Sequence, residues 1–323
     1  MEMLVPVLLF AVGLVLLIKG GGWFVDGATG IAHRFHIPEL IIGATIVSAG
    51  TTLPEVMVSA ASALSGHGEI AYGNAIGSII CNTALIAAIT VAVRPPKVEA
   101  ASLKVPVLFF FGAAAVYAGV AYITGEFTRG VGIALMAIFV AYMVYNVLRV
   151  KKLPPVEAAE NPMQEYSSPI RDIVKLVIGA AAVAFGADLL VDNGTLIARD
   201  IFGLDERVIS LTMVAVGTSL PELVTAVSAV IKKNGSLAVG NILGANIMDI
   251  LLILPLCALT QGGVLPLSAN TLWVDIPFCL SVILILLVPA LVKRRFYRAQ
   301  GVIAMTLYGF YTIFLFLSGT LYS

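Results

Sequence analysis

Ten apolar stretches follow one another along this 323-residue chain, each near the roughly 20 residues that a helix needs to cross a bilayer. They fall at about 4–31, 40–64, 70–92, 104–124, 130–149, 170–198, 207–231, 237–260, 270–292 and 299–320. Hydrocarbon offers no partner to a backbone amide or carbonyl, so only helices or a closed barrel can span it. The runs are continuous rather than alternating, which selects helices. Hydrophobic residues make up 59% of the chain and charged residues 12%, with a mean hydropathy of +1.01. A soluble domain is closer to about 25% charged. The formal net charge is zero, which suggests neither a nucleic-acid partner nor a polyanion. Cys81, Cys257 and Cys279 all sit in apolar runs, with no disulfide framework and no metal-ligand spacing. Met1-Glu2-Met3 lacks the positive n-region of a cleavable signal peptide.

Lys and Arg set the expected orientation. When the loops are counted alternately from the N-terminus, one side carries 15 of these residues, the other carries Arg129, Arg199 and Arg207, and Lys19 lies within the first span. The positive-inside rule then puts both termini outside. The hydrophilic segment around 150–170 joins the fifth and sixth spans and reads as a cytoplasmic linker.

The chain also repeats itself. Val47-Ser48-Ala49-Gly50-Thr51-Thr52-Leu53-Pro54-Glu55 recurs 167 residues later as Val214-Ala215-Val216-Gly217-Thr218-Ser219-Leu220-Pro221-Glu222. The same offset carries Gly73-Asn74 onto Gly240-Asn241, and Gly77 through Asn82 onto Gly244 through Asp249. An offset of 166 carries Val25-Asp26 onto Val191-Asp192. The expected plan is therefore all-α and polytopic. Two five-helix copies, 1–149 and 170–323, flank a linker at 150–169, with helices 2, 3, 7 and 8 broken. An odd number of spans per copy inverts the second copy, an arrangement common in secondary transporters.

The chemistry lies where the spans are interrupted. Gly50, Thr51, Thr52 and Pro54, and their counterparts Gly217, Thr218, Ser219 and Pro221, sit within apolar runs. Proline removes an amide donor and crowds the preceding turn, which frees carbonyls. Thr52-Leu53-Pro54-Glu55 and Ser219-Leu220-Pro221-Glu222 both read as capping boxes. Carboxylates at membrane depth are costly, so Glu55, Glu222 and Asp249 point to cations. Carboxylate, hydroxyl, amide and backbone carbonyl oxygens suit sodium and calcium. No His or Cys ligand set argues for zinc or copper. Asn82 and Asp249 occupy equivalent places, and pseudo-symmetry would bring them to Glu55 and Glu222.

Each feature has a plainer reading. A capping box is ordinarily only a helix start, although two paired ones at mid-span are unusual. Asn82 and Asp249 would also serve helix–helix hydrogen bonding. Close packing beside Gly73 and Gly240 would explain Asn74 and Asn241. Lys19 and Asp26, seven residues apart, read as a snorkelling base and a structural pair. His33, His36 and His67 read as solvated loop residues, and the three cysteines as inert buried thiols.

The paired Gly-Thr-(Thr/Ser)-Leu-Pro-Glu segments, each followed by Gly-Asn and then Gly-(Ser/Ala)-x-Ile-x-(Asn/Asp), resemble the two alpha-repeats of the sodium/calcium exchanger family of cation/calcium antiporters. The likeness covers nearly the whole chain and looks like the compact prokaryotic members. It implies exchange of Na+ for Ca2+, with no cofactor and no obligate protein partner. It also implies a site. Glu55 and Glu222 match the shared calcium and sodium ligands, with Thr51 and Thr218 beside them. Thr52 and Ser219 match neighbouring hydroxyls, and Ser48 and Ala215 match positions offering backbone carbonyls. Ser78 matches a sodium-ligating hydroxyl, and Asn82 with Asp249 match the central polar pair. The first and sixth helices are implied to slide past the core. Ala245 stands where many members have Ser, and Ile79 where Asn is common, although its equivalent Asn246 is kept.

In this reading the carboxylates bind either calcium or sodium, never both loads together. Glu55, Glu222 and Asp249 would carry a charge of −3 if all were ionised, so calcium would leave −1. Protonation of Asp249 or a co-transported potassium ion would each complete the balance. The alternatives are a potassium-dependent exchanger, a calcium/proton antiporter (whose repeats place Gly-Asn ahead of the Glu) and, in a different class, a cation channel. No nucleophile elbow, metalloprotease motif or P-loop points to an enzyme. The expected location is the plasma or inner membrane.

Overall fold

A computed structural model describes residues 4–64, 68–96, 100–150, 168–200, 215–260, 264–266 and 271–321. The linker residues 151–167, the start of the seventh expected span at 207–214, and His67 lie outside the described residues.

Helices dominate. They are α1 (Leu4–Arg34), α2 (Glu39–Ile42), α3 (Ser48–Thr51), α4 (Leu53–Leu64), α5 (Gly68–Cys81), α6 (Ala88–Val93), α7 (Ala100–Thr124) and α8 (Arg129–Val150). After these come α9 (Pro169–Asp200), α10 (Ala215–Thr218), α11 (Leu220–Ile231), α12 (Gly235–Met248), α13 (Leu254–Thr260), α14 (Ile276–Lys293) and α15 (Arg298–Leu321). Among the described residues, seven helical stretches are long and apolar enough to cross a membrane, and one bent pair makes eight. Ten spans were expected. The two remaining segments are α11, an apolar helix of 12 residues, and α15, of 24 residues.

The expected breaks take two forms. The second span bends by 44° between Thr51 and Leu53. The seventh is interrupted at Ser219, between α10 and α11. The expectation of broken helices 3 and 8 needs correction. There the chain passes without interruption from α5 to α6 and from α12 to α13. Each passage is a widened π-helical turn, Asn82–Ala87 and Asp249–Ile253. A π turn spreads the hydrogen-bond ladder and re-aims a side chain without ending the helix, and such turns gather at functional sites. Another π turn spans Gly43–Val47.

α12 runs through the centre, with every residue from Leu237 to Met248 buried. Small residues let it lie flush on the second span. A Cβ placed on Gly240 would clash with the Leu40 backbone, and one on Gly244 with Ala44 and Ser48. Around it, α5, α7, α8, α13 and α14 close a continuous apolar core that includes Ile79, Phe110, Leu135, Leu251 and Leu286.

α1 and α9 stand apart as a pair. They contain 31 and 32 residues. At about 1.5 Å per residue each is longer than the roughly 30 Å of a bilayer's hydrocarbon. Gly13, Gly20 and Gly27 recur every seven residues on α1 and meet α9 backbone to backbone, as Gly179 and Gly186 do in return. A Cβ on Gly20 would lie 2.8 Å from that of Ala182, and one on Gly186 would lie 2.9 Å from the Gly13 carbonyl. Small residues at such a seam let helix backbones approach in lipid. The outer faces are exposed and apolar, with Val5, Leu8, Val15 and Ile18 on α1 and Ile170, Val177 and Phe185 on α9.

At one end of the bundle the described ends of several basic loops meet, with Lys175 and Lys232 both reaching Asp26 near the end of α1. Arg34 pairs with Asp172 at 3.5 Å, and a Cβ on Gly235 would lie 2.8 Å from Pro96. The expected Lys19–Asp26 pairing is not found: Lys19 is exposed, and Asp26 pairs with Lys232 at 2.6 Å and Lys175 at 3.9 Å. At the other end of α7 lies a feature the all-α expectation lacked. Strands β1 (Glu126–Thr128) and β2 (Val264–Pro266) pair antiparallel, with Phe127 opposite Leu265. Phe127 is buried and stacks on Tyr117 with 5.0 Å between ring centroids.

Candidate cation site

Thr52 and Ser219, at the two helix breaks, adopt nearly the same backbone conformation, φ −80°, ψ −4° and φ −90°, ψ 5°. This sparsely populated bridge region is common at active sites. Pro54 and Pro221 follow in the first turns of α4 and α11, where a missing amide costs little. Glu55 and Glu222 then project from those same turns.

The expected capping boxes do not form. Ser219 makes no side-chain cap bond. Thr52 Oγ1 instead donates to Glu222 Oε1 at 3.1 Å, between residues 170 apart in the chain. A tertiary carboxylate has displaced the local backbone partner, so hydroxyl and acid turn inward.

Two further bonds of this kind flank the first. Thr51 Oγ1 donates to Asn241 Oδ1 at 3.1 Å, and Thr218 Oγ1 donates to Asn74 Oδ1 at 3.2 Å. Both join the first half of the chain to the second. Ser48 is buried on α3; its carbonyl accepts the Thr52 amide at 2.9 Å and faces the Thr51 hydroxyl at 3.4 Å. Ala215 opens α10. Ser78 lies on α5, one turn before Asn82. Asn82 and Asp249 begin the two π turns, so their side chains emerge where the ladder widens. Asn246 Nδ2 donates to Thr83 Oγ1 at 2.7 Å, a link between the halves that motif reading did not single out.

Burial makes the site unusual. Glu55 is 1% exposed, and Glu222 and Asp249 are 0% exposed. Glu55 feels the charge of both Glu222 and Asp249, so the three acids are electrostatic neighbours. None of the ion pairs among the described residues engages any of them. Both oxygens of Glu55, both of Asp249 and Oε2 of Glu222 lack a hydrogen-bond partner among the described residues. So do Oδ1 of Asn82, Oδ1 of Asn246 and the Ser78 hydroxyl. Leaving carboxylates buried and unpaired costs several kcal/mol per ion. Such a cluster of acceptors has the chemistry to receive a cation. Among the described residues, no three His, Cys, Asp or Glu side chains converge closely enough to hold a metal by themselves. A cation held here would draw the rest of its shell from neutral hydroxyl, amide and carbonyl oxygens, as hard cations accept.

A many-helix membrane bundle with a buried, oxygen-lined, anionic centre on interrupted helices is a cation transporter. More narrowly, the chain belongs to the sodium/calcium exchanger family, whose model matches residues 5–148 and 172–317. An uncharacterized membrane protein of Methanocaldococcus jannaschii is 33% identical over 305 residues, 93% of this chain and 94% of that protein. The sodium/calcium exchanger MaX1 of Methanosarcina acetivorans is 30% identical over 345 residues, 96% of this chain and 98% of that one. A structure of the sodium-calcium exchanger NCX_Mj, soaked with zero Na+ and Ca2+, superposes with a TM-score of 0.82 at 31% identity, covering 97% of this chain and 99% of that one.

Proposed function

We propose that this chain is a secondary antiporter that exchanges Na+ for Ca2+ by alternating access at the Glu55–Glu222 centre. The carrying observation is the set of buried carboxylate and amide oxygens without hydrogen-bond partners. Glu55 and Glu222 hold the cation, with Thr51, Thr218, Thr52 and Ser219 beside them. The backbone at Ser48 and Ala215 contributes carbonyls, Ser78 serves sodium, and Asn82 with Asp249 completes the centre.

The mechanism follows from charge. Carboxylates emptied of cation repel one another in a low-dielectric interior, so the bare site resists closing. A cation load neutralises that repulsion and permits the switch, which couples movement to occupancy and enforces exchange over leak. α1 and α9 slide as one body past the remaining helices. In support, they touch each other far more extensively than they touch the core, and glycines line their seam.

The architectural reading is ten spans in two inverted five-helix copies, 1–149 and 170–323, around a cytoplasmic linker at 150–169. Both termini are extracytoplasmic, in the plasma or inner membrane. Separate matches of the family model to 5–148 and 172–317 support the division. The clustering of the basic loops at one end of the bundle supports the orientation.

The test is radioactive calcium uptake into sodium-loaded proteoliposomes diluted into sodium-free medium, with proton gradients collapsed. Uptake driven by sodium, and lost in both Glu55→Gln and Glu222→Gln, is expected. Uptake only under an imposed pH gradient would replace sodium coupling with proton coupling. A requirement for external potassium would add a third ion, and current without counterflow would mean a channel.

A further inference from the structure

The two crossed threonine–asparagine bonds carry a consequence for ion binding. A hydroxyl has one proton and two lone pairs. A proton aimed at a cation weakens the oxygen as a ligand; a proton held elsewhere leaves the lone pairs free. Thr51 and Thr218 each direct their proton to an amide oxygen, and in each case the asparagine lies on the opposite half of the chain. The two bonds are related by the 167-residue offset at both ends, Thr51 to Thr218 and Asn74 to Asn241.

We propose that Asn241 and Asn74 are positioning residues of the transport site, each accepting the hydroxyl proton of the other half's threonine so that Thr51 and Thr218 present lone pairs to the cation. The proposal rests on the reading of these threonines as ion ligands. The two clamps differ in anchoring. Asn74 Nδ2 donates to Ser59 Oγ at 2.9 Å, which fixes which end of the amide faces Thr218. The equivalent of Ser59 is Ala226, which has no hydroxyl, and Asn241 Nδ2 is without a partner among the described residues. The Thr51–Asn241 clamp is buried, whereas the Thr218–Asn74 clamp is half-buried. Without Asn241 the acceptors near the Thr51 hydroxyl are the Ser48 carbonyl at 3.4 Å and the Glu222 carboxylate, both themselves proposed ligands. The loss would therefore fall on two ligands.

The experiment is a double-mutant cycle in reconstituted full-length protein, reading the apparent KM for calcium separately from the maximal rate. Thr51→Ala and Asn241→Leu are each expected to raise KM about tenfold. The double variant is expected to stay near that tenfold level, because residues acting through one another are not additive. Multiplicative effects near a hundredfold would overturn the proposal, as would a fall in maximal rate at unchanged KM. If Thr51→Ala raises KM while Asn241→Leu leaves it alone, the positioning role falls and the site assignment stands. If Thr51→Ala has no effect, the ligand reading falls as well. Thr218→Ala with Asn74→Leu, at the half-buried clamp, supplies the same cycle should Asn241→Leu fail to fold.

Discussion

The Thr52 hydroxyl donates to Oε1 of Glu222 across 3.1 Å, so the helix break of one half is tied to the acid of the other. Charge and geometry are separable at this contact. Glu222→Gln keeps an oxygen that can accept from Thr52 but removes the charge. It should abolish sodium-driven calcium uptake while the protein stays folded. Thr52→Val keeps the charge and removes a charge-assisted bond worth about 1.5–3 kcal/mol, so it should raise the apparent KM about tenfold or more. Equal damage from the two variants would show that geometry outweighs charge.

Ala245 offers a gain rather than a loss. It is fully buried on α12 and stands where the resemblance leads one to expect Ser. Ala245→Ser adds one hydroxyl with little added volume. The half-saturating sodium concentration for calcium efflux should fall severalfold, with a steeper sodium dependence. An unchanged sodium curve would remove this position from the ion shell.

The seam between α1 and α9 tests the proposed sliding pair. Gly20→Val would drive side-chain atoms into Ala182 and Val183. Overpacking of this kind costs about 1–3 kcal/mol. Transport should drop at least tenfold and the melting temperature should fall. Gly112→Ala, which meets nothing within 4 Å, should do neither.

Lys232 joins the end of α11 to α1, donating to Asp26 Oδ1 and to the Gly22 carbonyl, each at 2.6 Å. Its repeat equivalent is Ser65, so a matching clasp is not encoded in the first half, although Asp192 repeats Asp26. Lys232→Met and Asp26→Asn should change the apparent calcium affinity in opposite directions on the two faces of the membrane, and the double variant should match either single one. Sided flux measurements would check this. Identical shifts on both faces would show that the pair serves folding alone.

Much of the scaffold was legible because lipid imposes a simple rule on composition. The repeat exposed Glu55 and Glu222 because two copies of one motif leave a fixed offset. Other features were hidden for physical reasons. α and π turns differ by one residue of register and share composition, so the π turns at Asn82 and Asp249 read as breaks. The Thr52-to-Glu55 spacing satisfies a local capping rule, and only the fold reveals Glu222 as a competing partner. Lys19 and Asp26 share a helix face but sit about 10 Å apart along the axis at seven residues' rise. Lys232, distant in sequence, arrives closer. Asn74 and Asn241 were visible as repeated positions, but nothing local named Thr218 and Thr51 as their partners.

The short ribbon of β1 and β2 joins a loop of the first half to a loop of the second at the end opposite the basic loops. Helices alone hold such a bundle by side-chain packing, which tolerates slip. Backbone hydrogen bonds between Glu126–Thr128 and Val264–Pro266 fix register in a way packing does not. The ribbon thus works as a rivet. In the proposed mechanism it makes the core helices a stator, and the long pair α1 and α9, joined to each other by glycines, the part that moves.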